Sequence, residues 1–176
     1  MIYRDLERIL ESKSASEERI LDLLDKYSNN LGEEDVMKIL YPILNWEVKD
    51  NTIILKEDYL IPIDENIAIS RHHRFIDIPK HKHDFIELSY VYKGMFTQEI
   101  NNIKIRLNEG EICILDMNIE HSISASTDND IIINCLMRKD FFDTSLFSRL
   151  SSNDLMCNFL TKAIYDSKNN NNYCIF

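Results

Sequence analysis

The sequence predicts a mainly β fold with flanking helices, built as an antiparallel sandwich or barrel. Three observations carry this reading. From about Asn51 the apolar residues recur in short, β-branched runs. Turn residues interrupt those runs often, as in small all-β domains. On either side of them the apolar spacing is helical. The chain has 176 residues, 44% hydrophobic and 28% charged, an ordinary globular mix with enough length to bury a core. No apolar run reaches the ~18 residues of a membrane-spanning helix. The opening MIYRDLERIL is charged throughout and lacks a signal core. A cytoplasmic protein without membrane contact is the expectation.

The first elements read as helices. Ile2, Leu6, Ile9 and Leu10 follow one helical face. Ser14 or Ser16 opens a second helix, with Glu17 and Glu18 in the first turn, where the helix dipole favours acids. Ile20, Leu24 and Tyr27 line one side of it, and Asn29, Asn30 and Gly32 end it. A short third helix over 33–40 stops before Pro42. A helix-turn-helix is rejected, because a recognition helix starting Glu33-Glu34-Asp35 would meet phosphates with acids. These helices read instead as a cap on the next domain.

Strands are predicted over 52–56, 67–69, 85–92, 96–100, 103–107, 112–115, 122–125 and 131–136. Asn101-Asn102 lies between two alternating runs, and asparagine tolerates positive φ, so it reads as a two-residue hairpin turn. The tail returns to helix over 141–150 and 153–166, with Ser151 or Ser152 as an N-cap for the second. Asn169 to Asn172 form a polar loop, and the chain ends on the apolar Tyr173-Cys174-Ile175-Phe176.

Charge divides the chain unevenly. Residues 1–70 carry 16 acids and 8 bases, whereas residues 71–139 carry 10 and 9. The net charge of −10 argues against a free-standing nucleic-acid binder. Cys113, Cys135, Cys157 and Cys174 form no C-x-x-C pair, so they read as reduced thiols rather than a zinc ribbon or redox motif.

The chemistry concentrates in His81-x-His83 with Glu87 four residues on. On one extended strand all three would point the same way. His121 precedes a later strand. Three imidazoles and a carboxylate that converge would suit zinc, iron, manganese or nickel. Two of the three glycines, Gly94 and Gly110, frame this segment and read as turn positions needing φ > 0.

His81-x-His83-x-x-x-Glu87, followed by Gly94, resembles the first cupin motif. Gly110, Asp116, Asn118 and His121 resemble the second, with Asp116 in place of the usual proline, Asn118 in place of a glycine and Ala125 in place of a final asparagine. The strings PKHKHDFIELSYVYKG and NNIKIRLNEGEICILDMNIEHSI resemble the sensor domain of AraC-type transcription regulators. That resemblance implies a cupin-like antiparallel β-barrel, or double-stranded β-helix, which binds a small-molecule effector. It also implies C-terminal helices that form a homodimer, and a DNA-binding domain beyond them. The expected division is a helical segment 1–48, a barrel 49–138, helices 139–168 and the start of a connector at 169–176. DNA would be met only through a domain absent from this chain.

Under this reading His81, His83, Glu87, Phe96, Gln98 and His121 are the ligand-binding set, and the protein is not an enzyme. The turn at Gly94 leaves open whether Phe96, Gln98 and Ile100 or Met95, Thr97 and Glu99 face the pocket. Leu146, Leu150, Leu155 and Phe159 are the dimer-seam candidates; packing on the barrel is the plainer account of the same residues. No cofactor is required. A divalent metal held by His81, His83, Glu87 and His121 is the alternative, and it would make the chain a cupin enzyme of dioxygenase or isomerase type. A third reading is a stand-alone partner protein whose acidic helices bind another protein. Odd positions 81, 83, 87, 89 and 91 are taken as interior, while Ile86, Leu88, Tyr90 and Tyr92 need cover on the other face. Arg71, His72, His73 and Arg74 read as a solvated basic run, with anion binding as the sharper alternative.

Overall fold

The computed structural model describes residues 8–27, 35, 38–39, 47–49, 52–142 and 173–176. Helix α1 (Ala15–Tyr27) precedes β1 (Glu47–Lys49), β2 (Thr52–Leu55) and a single-turn helix α2 (Glu57–Leu60). Then follow β3 (Ile67–Arg71), β4 (Ile78–His83), β5 (Ile86–Lys93), β6 (Met95–Ile100), β7 (Ile103–Asn108), β8 (Ile112–Leu115), β9 (His121–Ile123) and β10 (Ile131–Met137). A 3₁₀ turn covers Lys139–Phe141, and β11 is Tyr173–Ile175. The strands form two sheets, ordered β1-β2-β4-β9-β6-β7 and β11-β8-β5-β10-β3. All pairings are antiparallel except β2 with β4. This is the mainly β, two-sheeted and largely antiparallel architecture that the sequence predicts.

Local chemistry explains the elements. Ser14, not Ser16, caps α1: its Oγ accepts from the Glu17 N–H (3.2 Å), and Glu17 Oε2 accepts from the Ser14 N–H (2.8 Å). That reciprocal pair is a capping box. Asn101 and Asn102 have φ of 52° and 63°, the left-handed pair a type I′ hairpin turn requires, and Ile100 faces Ile103 across it. Gly94 turns with φ of 80° where a Cβ would lie 2.3 Å from Asp130 Oδ1 and 2.7 Å from the Asn129 carbonyl oxygen.

The main core lies between the sheets. Val91, Phe96, Ile100, Leu107, Cys113, Leu115, Ile119 and Ile132 fill it, and Ile20 of α1 joins them with Leu23, Leu24 and Tyr27 packed alongside. A second cluster, Ile86, Ile114, Met117, Met137 and Phe142, covers the outer side of the five-stranded sheet. Glu87, Ser89 and Val91 are buried inward as expected, and Phe96, Gln98 and Ile100 are the interior set of β6.

Two expectations need correction. His81, His83 and Glu87 do not share a strand. Asp84 and Phe85 break the run, so the histidines sit on β4 and Glu87 on β5, in opposite sheets. The Arg71–Arg74 run is not solvated either: Arg74 is fully buried and His72 is 6% exposed. Strands β1 and β4 and helix α2 add to the predicted set. Pro79 disguises β4, and it is tolerated because the β4–β9 register shifts between Ile78 and His81. The first-helix residues Ile2 and Leu6, the helix at 33–40 beyond isolated positions, and the helices over 143–166 with Leu146, Leu150, Leu155 and Phe159 lie outside the described residues.

Candidate functional site

The two sheets bring the chemistry together from opposite walls. On β4, His81 pairs in register with His121 of β9, and their ring centroids are 4.0 Å apart. His83 stands 5.2 Å from His121 in a T-shaped contact. Across the barrel interior, Glu87 Oε2 of β5 comes within 3.6 Å of His83 Nε2. One ligand atom each from His83, Glu87 and His121 lies within 4.8 Å of the others. His81 lies beside this trio rather than in it.

Backbone carbonyls fix the ring orientations. The Nδ1 of His83 is 2.7 Å from the Phe85 oxygen, that of His121 3.3 Å from the Ile119 oxygen, and that of His81 3.0 Å from the Pro79 oxygen. An Nδ1–H donating to a carbonyl leaves Nε2 as a lone pair. In His83 and His121 that Nε2 is buried and has no hydrogen-bond partner among the described residues. Such a pair of lone pairs beside a carboxylate fits a metal cation, since a metal-bound imidazole usually donates its other ring N–H to a carbonyl or carboxylate that fixes its orientation. The donor set is nitrogen and oxygen, suited to zinc, iron, manganese or nickel.

Burial sets the protonation states. It pushes His72 and His83 down to about 3, His81 down to about 4 and His121 well below the ordinary histidine value. All four rings are therefore neutral near pH 7. Burial pushes Glu87 up to about 7, opposed by its hydrogen bond from Ser89. Asp116, at the position of the usual proline, is raised to about 6 by burial, while its Oδ1 accepts from the Met117 N–H (2.6 Å).

Beside the trio is a cavity of about 110 Å³. Its polar wall includes Arg71, His72, His81, Glu87 and Asn134, and its apolar wall Leu55, Phe85 and Leu136. Among the expected ligand residues, His81 and Glu87 line this space. His83, His121, Phe96 and Gln98 are buried behind it, Gln98 beside the Cys113 thiol. Sequence reasoning misses Ser89 and Asn134. Ser89 Oγ lies 3.4 Å from Glu87 Oε1 and 3.2 Å from Asn134 Oδ1, and Asn134 Nδ2 is 3.4 Å from His72 Nδ1. A polar residue at an interior position of a strand is the signal that could have found them: Ser89 by its odd parity on β5, Asn134 within the otherwise apolar run of β10.

The segment after β3 forms one rim of the cavity and is clamped from outside. Glu17 of α1 is 1% exposed. It accepts from Arg74 Nε (2.8 Å), Arg74 Nη2 (3.0 Å) and Arg71 Nη2 (2.5 Å). Arg71 also donates to the carbonyl oxygens of Leu10 and Ser12. Ser16 Oγ is 3.1 Å from His73 Nε2. Burial alone would raise the Glu17 carboxyl. Hydrogen bonds from Arg74 and Ser14, with the charges of both arginines, outweigh that and hold it down at about 2.

Residues 67–137 match the family model described as AraC-like ligand binding domain. No curated protein sequence matches the chain. Among solved structures, the chain resembles EutQ of Clostridium difficile at 15% identity and a TM-score of 0.37, over 42% of this chain and 57% of that one. It resembles KdgF of a Halomonas species at 21% identity and a TM-score of 0.37, over 44% and 76%. ToxT of Vibrio cholerae is similar at 19% identity and a TM-score of 0.39, over 55% of this chain and 39% of that one. The matched region thus spans less than two thirds of EutQ and of ToxT.

Proposed function

Because residues 67–137 match the AraC-like ligand binding domain, we propose that this chain is the effector-sensing region of an AraC-type transcription regulator. The effector is a small molecule held between the two sheets. The observation that carries the reading is the cavity, lined mostly by the matched segment with Leu55 and Leu60 added from before it. It offers a few converging polar groups against apolar walls, the usual form of a small-ligand site. His81, Glu87, His72 and Asn134 would orient the ligand. His83 and His121 would present acceptors behind them, and Phe96 and Gln98 would support the floor. The chain acts without catalysis, as a homodimer through Leu146, Leu150, Leu155 and Phe159, and DNA is met through a separate domain. A ligand that binds one arrangement better than another biases how the dimer presents that domain. Domain limits of 1–48, 49–138, 139–168 and 169–176 belong to the same proposal.

The test is an effector screen by thermal shift on the purified chain, followed by sedimentation of the hits. Hits that lose their effect in Asn134→Ala and change the dimer fraction support the reading. Hits indifferent to Asn134 and to association count against it.

A specific observation favours a second reading, a metal-dependent cupin enzyme of dioxygenase or isomerase type. The orphaned Nε2 atoms of His83 and His121 lie close to the Glu87 carboxylate. Those three residues would hold a divalent cation, which would supply Lewis acidity at the cavity floor. His81 would pack against the ligand rings, Asn134 would orient a substrate and Phe85 with Leu136 would exclude water. Stoichiometric metal after purification, with turnover lost in His83→Ala, would favour this reading over sensing.

A further inference from the structure

The stretch from Arg71 to Phe75, where β3 ends, faces two ways. Arg71, His72 and His73 line the cavity. Arg71, His73 and Arg74 also grip the start of α1. Arg71 donates to Glu17 and to the carbonyl oxygens of Leu10 and Ser12, Arg74 donates to Glu17 and to the Ser12 carbonyl, and His73 meets Ser16 Oγ. Arg71 and His73 thus belong to the cavity wall and to the clamp at once. His72 lies between them and turns inward. Its N–H donates to the Ile132 carbonyl (2.9 Å), its Nδ1 is 3.4 Å from Asn134 Nδ2, and its ring meets Phe96 edge-on at 5.2 Å. Asn134 carries the contact on to Ser89 and so to Glu87. A contiguous path, part side chain and part backbone, therefore runs from Glu17 outside the barrel to Glu87 inside it.

The stretch ends in strain. Phe75 has a φ of 73°, a left-handed conformation that a bulky side chain rarely adopts. Its N–H is held by the Ser126 carbonyl at 3.0 Å, and its ring centre lies 5.6 Å from Lys13 Nζ and 5.1 Å from the Arg74 guanidinium carbon. Lys13 comes from just ahead of α1, so the docked helix is among the contacts that hold the strained form. Such strain persists only where the surroundings over-determine it, and it clusters in ligand clamps and switch segments. Release of α1 removes part of that determination. The stretch then has two arrangements: one gripped by α1 with the cavity wall ordered, and one in which both are loosened.

We propose that α1 reports the state of the cavity: the docked helix and the ordered wall at Arg71–His73 favour each other, so an effector held against His72 and Asn134 tightens α1 on the barrel. This goes beyond the sensing reading and rests on it only for the use of the cavity as the ligand site. The reporter lies ahead of the matched segment 67–137. The coupling is reciprocal: the factor by which an ordered wall strengthens docking is the factor by which docking strengthens occupation of the cavity.

Hydrogen exchange of the full chain, read over residues 8–20, measures docking without an effector. Asn134→Ala removes the partner of His72, and Ser89→Ala frees Asn134; neither touches the clamp. Each is expected to speed exchange over 8–20 by about fivefold or more. Ile114→Val loosens packing on the outer side of the same sheet and controls for lower overall stability; it is expected to leave 8–20 unchanged. In the other direction, Glu17→Gln is expected to shift the His72 ring resonances, and Ser14→Ala, which removes only the cap, to leave them in place. Unchanged exchange over 8–20 in both wall variants overturns the proposal. So does equal acceleration in Ile114→Val, or a His72 ring indifferent to Glu17→Gln. Those results leave the sensing reading standing, since neither α1 nor its clamp enters it. An effector screen that yields nothing dependent on Asn134 sinks the sensing reading instead, and the exchange rates then still decide whether wall and helix are coupled.

Discussion

Glu87 shows most plainly how position creates chemistry. Burial raises its carboxyl to about 7. Between the ordinary value near 4.5 and about 7 the folded chain binds more protons than the unfolded one at this group, so its contribution to stability falls as pH rises through that window. In chelator-treated protein, Glu87→Gln is therefore expected to stabilise the fold above pH 7 by up to about 3 kcal/mol and to change little below pH 4.5. Urea unfolding at pH 4 and pH 8 reads the difference; a gain at both values equally would contradict the account. Gly94 makes a purely steric point. With φ of 80°, and with only 2.3 Å between the place a Cβ would take and Asp130 Oδ1, the turn has no room for alanine. Gly94→Ala should cost about 3 kcal/mol or more in the same measurement, through strain and loss of the Asp130 hydrogen bond to the Met95 N–H.

Helix α1 is fixed to the barrel by Ile20 in the core and by a buried carboxylate shared between two arginines. Glu17→Ala leaves Arg74 buried without its partner, and breaking such a pair costs about 3–5 kcal/mol. Ser14→Ala removes only the cap, worth about 1 kcal/mol. Limited proteolysis should accordingly cut residues 8–27 much faster in Glu17→Ala than in Ser14→Ala; equal rates would mean that the ion cluster does not hold the helix. The elements differ in how far the sequence reveals them. The cap of α1, the Asn101-Asn102 hairpin and the inward parity of Glu87, Ser89 and Val91 are local patterns, and they are legible as such. The burial of Arg74 is not, because its partner lies 57 residues away. The β4–β5 break at Asp84-Phe85 is hidden because spacing by two residues on either side of it mimics one strand. The closure of His83 onto Glu87 depends on the two sheets facing each other, which the cupin resemblance implies and periodicity does not. Asn134 enters the cavity wall by the register of β10 against β5, where it faces Ser89.

At the scale of the whole molecule, the interior holds several histidines as neutral groups. His72 and His83 at about 3 and His81 at about 4 bind fewer protons folded than unfolded below the ordinary value of 6.5. Their contribution to stability is complete above that value and declines as pH falls. Glu87 opposes this slope in its own window, but it is one group against several. The metal-free chain should therefore lose stability steeply below about pH 6 and unfold in mild acid, as circular dichroism against pH would report; a flat profile down to pH 4 would contradict the burial of these rings. The same buried interior, with its imidazoles held neutral, is what makes the barrel suited to a small ligand. The measurement that tests this central claim most directly is amide chemical-shift mapping of the labelled chain against a panel of small amines, alcohols and acids. The account predicts saturable shifts that concentrate at residues 71–73, 81, 87 and 134, lost in Asn134→Ala. Shifts scattered over the surface, or none at these positions, would contradict it.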